Sequence, residues 1–552
     1  MRLLQNAFYT SWVLMGALAM LLPNYAPAAP VSPDRAGKVA AAWARSSQQH
    51  LGKQMNRTIQ EVKTFNDANG EDMFHVILLD MGGFVVVPAD DEVEPIIAFS
   101  SDGTLEEDPE NPLWSLVSQD LPSRIEATRS LSKRALQTGP SERQEKNRKK
   151  WLRFESLTDL QSHDYSDEPL VDMGTPSIND ECVSPLVASR WNQGSVGYPS
   201  VPCYNYYTPN HYVSGCVATA MAQVIRYWQH PTSGIGVHSY NITVDGVAQS
   251  ASTRGGDGAG GAYDWSLMTL VPTGSTPEAA RQMIGALLYD CGVSVEMEYA
   301  SGGSGASTYY TSLRLKDRFG YANSIYTQGT ELTTDGLLNR IVNPNLDFGS
   351  PTILSIRNDK GEGHAIIADG YGYNSSTLYH HLNMGWGGSQ DAWYNLPNVD
   401  DAYYGFSKVQ AAVYNIFVSG TGEIISGRVL NHDGTPASGI SVTATASGSS
   451  YPGVTNDRGI YAIKVPIPSS TASYSVSCAG AAAPVSAQVG RSGFSVCGNA
   501  WGADLSLSPP NTPPKLNAIG NMTIQAGQTI TFTIDAYDPD TGQIISFSAT
   551  GQ

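Results

Sequence analysis

Basic residues are scarce in this chain. Its 552 residues hold 33 Lys and Arg against 51 Asp and Glu, a formal net charge of −18. Phosphate binding needs clustered Lys and Arg, so nucleic acid is excluded as the main partner. Such a charge suits a protein that stays dispersed in solution. Cysteine is scarce as well. Cys182, Cys203, Cys216, Cys291, Cys478 and Cys497 are all there are, too few to staple a chain of this length, which excludes a disulfide-built scaffold. Long apolar runs are missing after the N-terminus, so no membrane span is expected. The one early run, residues 12–22, is too short to cross a bilayer comfortably. Arg2 precedes it and "PNYAPAAP" follows, with small residues spaced for cleavage near Ala28. Residues 1–28 therefore read as a signal peptide, and the mature protein as secreted, extracellular or periplasmic.

Glycine and proline are plentiful, with 55 and 32 residues, which points to many turns and much β structure. The length exceeds what one core serves, so several domains are expected. Residues 29–157 form a first α+β unit. "DRAGKVAAAWARSSQQHL" has helical spacing, and "MFHVILLDMGGFVVVPADDEVEPIIAFS" reads as three strands around a Gly-Gly turn. The basic stretch "RSLSKRALQTGPSERQEKNRKKWLRF" reads as a solvated helix and linker, and exposed connectors of this kind are open to proteolysis. Residues 158–175 read as the rest of that linker. A second α+β unit spans 176–418, helices first and sheet after. A β-sandwich with period-two patterning follows over 421–508, then a proline-rich linker over 509–515. Residues 516–552 supply about three strands, an incomplete Ig-like β segment. Its Asp538 and Asp540 read as a turn, since two carboxylates do not make a calcium site. The second unit's strands should close before Thr421, so a chain ending near Val418 should keep its activity.

Within the second unit, "SGCVATAMAQVIRYWQHP" places Cys216 at the start of a helix whose face is Val217, Ala220, Met221, Val224 and Trp228. A helix start carries unpaired N–H groups and partial positive charge, and both stabilise a thiolate. Cys182 with Cys203, and Cys478 with Cys497, are possible disulfides, which would leave Cys216 and Cys291 over, and a leftover thiol is a candidate reactive group. A thiolate nucleophile needs a proton donor and a site for developing charge. His364, opening the strand "GHAIIADGYGY", fits the donor; His380 and His381 fit the position of a structural histidine equally well. Asn383 suits holding the imidazole or a plain turn. Trp386 suits shielding or core packing. Gln193 suits an oxyanion donor, a weak signal alone. The loop "ASGGSGAS" borders the cleft or is ordinary surface.

Taken together, "WNQG", "SGCVATAMAQVIRYWQHP", "LLYDCGVSVEMEYASGGSGAS", "LKDRFGY", "GHAIIADGY" and "LNMGWGG" resemble the streptopain-type cysteine proteases in order and spacing. The first unit resembles that family's propeptide through "GGFVVVPADDEVEPIIAFS". The resemblance implies a multidomain protein with an α+β propeptide and a papain-like α+β catalytic domain. It implies an endopeptidase zymogen acting on protein and peptide substrates, with the propeptide as intramolecular inhibitor and no cofactor or metal. Cys216 would be the nucleophile, His364 the general acid/base and Gln193 the oxyanion-hole side chain; Asn383 would orient the histidine and Trp386 shield it. Met384 departs from the family, which has tryptophan there. The sandwich resembles carboxypeptidase-regulatory-like domains through "ISGRVLNHDGTPASGISVTA". Two rivals remain: a catalytically inactive papain-like adhesin or surface-binding protein, and a transglutaminase or amidase on a similar fold.

Overall fold

The computed structural model describes residues 29–108, 111–138, 140–159, 179–329, 332, 337–357, 363–396, 409–490, 498–509, 512–539 and 545–548. The signal segment, most of the 158–175 linker, Cys497 and Asp540 lie outside the described residues. In the first unit, helix α1 (Pro33–Arg45) starts where the Ser32 hydroxyl accepts from the Arg35 N–H and proline occupies the first turn. It buries Ala36, Val39, Ala40 and Trp43 against the strands β1 (Ile59–Asn66), β2 (Asp72–Leu79), β3 (Phe84–Pro88) and β4 (Ala98–Ser100). These form an antiparallel meander. The expected three strands are present; β1 is additional. Helix α2 (Pro112–Thr138) follows, then α3 (Glu142–Asp159).

Helix α3 corrects the reading of the basic stretch as solvated linker. Trp151 and Phe154 are buried at i,i+3 spacing in the first unit's core. The Trp151 indole donates to the Val93 carbonyl at 2.9 Å, and Lys150 pairs with Glu94 at 2.8 Å. Arg148 likewise pairs with Glu92 of this unit.

The second unit adds β5 (Asp180–Val183), the helix α4 (Cys216–Trp228), the hairpin β6 (Ser239–Val244) and β7 (Val247–Ser252), and helix α5 (Glu278–Ser294). Next come β8 (Glu298–Ala300), β9 (Gly303–Gly305), α6 (Thr308–Asp317), β10 (Asn323–Gln328) and α7 (Leu337–Asp347). The sheet strands β11 (Thr352–Arg357), β12 (Gly363–Asn374), β13 (Thr377–Asn383), β14 (Ala392–Tyr394) and β15 (Val409–Phe417) complete it. The expected apolar face of α4 is buried at Val217, Ala220, Met221 and Val224, and packs with Ile284, Leu287 and Leu288 of α5 and Ile353, Ala365 and Ile367 of the sheet. One face of the sheet thus seats the helix that carries Cys216.

The two units share a sheet, which no pattern in either announces. Its order is β1-β2-β3-β4-β14-β13-β12-β11-β15-β10, with β5 also on β12. The join is β4 to β14, Phe99 opposite Trp393 and Ala98 opposite Tyr394. Arg124 of α2 donates to the Asn395 carbonyl at 2.5 Å, and the Ser100 hydroxyl to the Asp391 carbonyl at 2.8 Å.

The third unit is the expected sandwich. One sheet holds β16 (Glu423–Leu430), β19 (Ile460–Val465) and β22 (Leu505–Ser506); the other holds β17 (Ser441–Ala446), β18 (Ser449–Val454), β20 (Ala472–Cys478) and β21 (Val485–Val489). Its expected independence is not what the contacts show. Asp347, at the end of α7, accepts from the Tyr371 hydroxyl at 2.7 Å and from Ser426 of β16 at 2.6 Å. Burial pushes this carboxyl up to about 7. Asn415 and Asn499 exchange amide hydrogen bonds across the junction. Ile460 lies in the apolar core that the first and second units share, and Trp501 meets Tyr371 edge-on. In the last segment the described residues hold a single short ladder, β23 (Lys515–Leu516) with β24 (Ala536–Tyr537). Its Leu516, Ile530 and Phe532 are exposed. No helix among the described residues is long and apolar enough to cross a membrane.

Ending the chain at Val418 removes the Ser426 and Asn499 partners and the cover over Tyr371. A loss of about 2 kcal/mol, modest for several such groups, lowers the melting temperature of a domain this size by roughly 4–8 °C. Calorimetry of the truncated and full chains checks this; equal melting temperatures would make the sandwich a mere spacer.

Candidate active site

Cys216 opens α4 directly after Gly215, whose φ is 85°. A Cβ at that glycine would lie 2.8 Å from both the Met297 sulfur and the Ser304 carbonyl oxygen. Only glycine brings the helix start this close to the 300–307 loop, so that loop borders the start of α4 beside Cys216. His364 is the second residue of β12, and its ring lies close enough to the Cys216 thiol for the two groups to shift each other's titration. Burial pushes the thiol up, but the His364 charge and hydrogen bond, with the N–H groups of Ala365 and Val217, hold it below its ordinary value. Burial works against the imidazolium too. Its pairing with Cys216 and its bond to Met384 nevertheless raise its pKa. Both shifts favour a thiolate–imidazolium pair.

No other described cysteine is placed this way. Burial pushes Cys182 and Cys203 up to about 12 and Cys291 well above its ordinary value, and Cys478 is raised as well. All four carry free thiols, so the suggested Cys182–Cys203 bridge does not form; the two residues belong to different cores. Cys478 is free too, and its suggested partner Cys497 lies outside the described residues. The alternative histidines are structural. His380 bonds the Asn343 amide oxygen at 2.7 Å, and burial pushes it down to about 3. His381 meets Asp369 at 2.6 Å.

The group holding His364 differs from the expected one. Its Nε2 lies 3.0 Å from the Met384 carbonyl oxygen, so Nε2 donates and the other ring nitrogen is left for the thiol. Asn383 does not touch the ring. Its amide donates to the Ser189 carbonyl at 3.0 Å, and its oxygen accepts from Gln223 and from the Gly385 N–H, each at 3.0 Å. With both ends engaged, Asn383 shapes the turn that presents Met384. A backbone carbonyl serves as partner, so the departure from tryptophan at position 384 leaves this bond intact.

Trp386 is half-buried in the same turn, packed against the core. The Gly387 N–H donates to the Trp191 carbonyl at 2.9 Å, which docks the turn on the loop of Gln193. Gln193 accepts through its own carbonyl from the Ser214 N–H at 2.8 Å, two residues before the nucleophile. Its side-chain amide has no hydrogen-bond partner among the described residues and is available to a substrate oxygen.

Gln223 escaped the sequence reading. It lies seven residues after Cys216, two turns along the same helix face, and is fully buried. Its oxygen accepts from the Ser189 hydroxyl at 3.0 Å and the Trp191 N–H at 3.2 Å, while its amide donates to Asn383. It ties the nucleophile helix to the Gln193 loop and to the Met384 turn. A glutamine inside an otherwise apolar helix was the available signal. Among the described residues no cluster of three or more His, Cys, Asp or Glu is placed to hold a metal. Gln223→Leu strands buried polar partners at about 1–3 kcal/mol each; urea unfolding should show a loss of about 2 kcal/mol or more, and a loss within error would make these bonds incidental.

Residues 191–394 match the Peptidase C10 family, and residues 28–122 match the Spi protease inhibitor domain. Streptopain of Streptococcus pyogenes is 25% identical over 272 residues, 44% of this chain; the chain spans 65% of that relative's length. The thiol protease/hemagglutinin PrtT of Porphyromonas gingivalis is 28% identical over 184 residues, 33% of this chain and 20% of that protein. Among solved structures, a Prevotella intermedia prointerpain A fragment is 24% identical, with a TM-score of 0.45 over 65% of this chain and 99% of that one. Active interpain A cysteine protease from the same organism is 30% identical, with a TM-score of 0.35 over 42% of this chain and 94% of that one. The protein thus carries a papain-like domain of the Peptidase C10 family, the streptopain-like cysteine peptidases, behind a Spi-type propeptide domain.

Proposed function

We propose that this protein is a secreted cysteine endopeptidase made as a zymogen, its propeptide acting as intramolecular inhibitor. The observation that carries the reading is Cys216, the one described thiol held below its ordinary pKa, paired with His364 at a helix start. The apolar N-terminal run supports export, and the Spi-type match supports inhibition by the first unit.

The reaction follows from the placement. The Cys216 thiolate attacks the scissile carbonyl. The oxyanion is met by the Cys216 backbone N–H and the Gln193 amide. His364, held through Nε2 by Met384, protonates the leaving amine, and an acyl-enzyme forms. His364 then takes a proton from water, which releases the second product. Trp386, in the turn beside the histidine, limits water at the Met384 bond. An inactive adhesin would have no use for a depressed thiol and a free oxyanion amide; the sandwich alone favours that reading.

A thiol-directed epoxide inhibitor should label Cys216. Cys216→Ala should abolish hydrolysis of casein by the activated enzyme while circular dichroism shows an unchanged fold; normal casein hydrolysis by the variant would reject the assignment. Gln193→Ala should slow turnover by about a hundredfold or more and leave epoxide labelling of Cys216 near normal, because the amide serves the reacting carbonyl and not the sulfur. Turnover close to that of the unmodified protein would remove Gln193 from the oxyanion site.

A further inference from the structure

A carbonyl that holds a catalytic ring is only as well placed as its own residue. Met384 is held on its other side by Asp391, whose Oδ1 accepts the Met384 N–H at 2.9 Å. The chain from carboxylate to base is therefore continuous: Asp391 to the Met384 N–H, and the Met384 carbonyl to His364 Nε2 at 3.0 Å. Asp391 sits immediately before β14, and its own carbonyl accepts from Ser100 of the propeptide. Three charged or titratable groups face its carboxylate: His381 from β13, Asp369 from β12 and Arg190 from the loop ahead of α4. Burial pushes Asp391 up to about 6, against the pull of His381 and the Met384 N–H. The group is thus mostly ionised at neutral pH.

We propose that Asp391 is the positioning residue and remote counter-charge of His364. It fixes the carbonyl that orients the ring, and its negative charge behind that carbonyl favours the imidazolium over the neutral ring. This rests on the Cys216–His364 reading above. Two features distinguish it from a general structural role. The carboxylate bonds the very residue that holds the base, and removing its charge has a signed consequence. A less stable imidazolium deprotonates at lower pH and supports the thiolate less well. The bell of kcat/KM against pH then narrows at its alkaline side, where the Asp391 carboxylate is ionised.

The test is Asp391→Asn, which keeps an acceptor for the Met384 N–H and removes the charge. The activated enzyme is assayed on a short fluorogenic peptide from pH 4 to 10, beside Asp391→Glu, which keeps the charge. The expected result is an alkaline limb lower by about half a unit or more, the size of a charge effect at such a site, with Asp391→Glu retaining the wild-type width. A bell of unchanged width in Asp391→Asn, whatever its height, overturns the proposal. A second measurement needs no variant. In the wild-type chain the His364 ring signals, followed by NMR, should register a step when Asp391 titrates near pH 6; His364 signals flat through that step overturn it equally. A wild-type Cys216 that titrates as an ordinary thiol instead defeats the dyad reading, and this proposal with it; a normal wild-type bell that Asp391→Asn does not narrow defeats this proposal alone.

Discussion

The site turns on Cys216 and His364 facing each other where burial opposes a charge on either. Both Cys216 and His364 would lose their charges if desolvation acted alone. What reverses the outcome is mutual: each supplies the other's counter-charge, the helix start adds N–H donors, and a backbone carbonyl fixes the ring. An arrangement of this kind tolerates little displacement, because the compensating terms fall with distance while the desolvation remains. Much of the surrounding structure serves to prevent displacement. Gln223 spans three segments from inside α4, and Asn383 spends both ends of its amide on shaping one turn.

That turn is also where the first unit makes contact. β14 follows directly after Asp391 and pairs with β4 of the propeptide domain, and Ser100 reaches the Asp391 carbonyl. The segment that holds the histidine's partner is therefore the edge onto which the propeptide sheet is built. Trp393 and Tyr379 of the catalytic unit lie in the propeptide's own core. Parting the two units means uncovering these side chains and opening a sheet edge, both of which cost free energy in water.

On the far side the sandwich is joined through buried polar groups. Asp347 divides its oxygens between Tyr371 and Ser426, and Asn415 pairs with Asn499. Buried polar groups tolerate few alternative arrangements, because an unpaired one is expensive. They specify how the sandwich sits, while Ile460 and Trp501 supply the apolar contact. The flexible glycines between Phe417 and Glu423 thus join units that are packed together.

Much of the site was legible beforehand because its chemistry is local. A cysteine after glycine at a helix start, a histidine opening an apolar strand and a glutamine in the loop before the nucleophile each carry their meaning within a few residues. Periodicity marked the strands of the propeptide and the sandwich for the same reason. What escaped involves partners far apart in the chain. That Met384, and not Asn383, holds the base follows from where Ser189 and Gln223 draw the asparagine amide. That the basic stretch is a packed helix follows from Trp151 finding Val93. That propeptide and protease share a sheet follows from the edges of β4 and β14 meeting. The sequence by itself determined which residues were candidates for the site and which segments form helices and strands, since these rest on side-chain chemistry and neighbours a few positions away. Only the tertiary structure decided which carbonyl, carboxylate and edge each would face, because hydrogen-bond partners are settled by the geometry of burial and one amide cannot serve two sites at once.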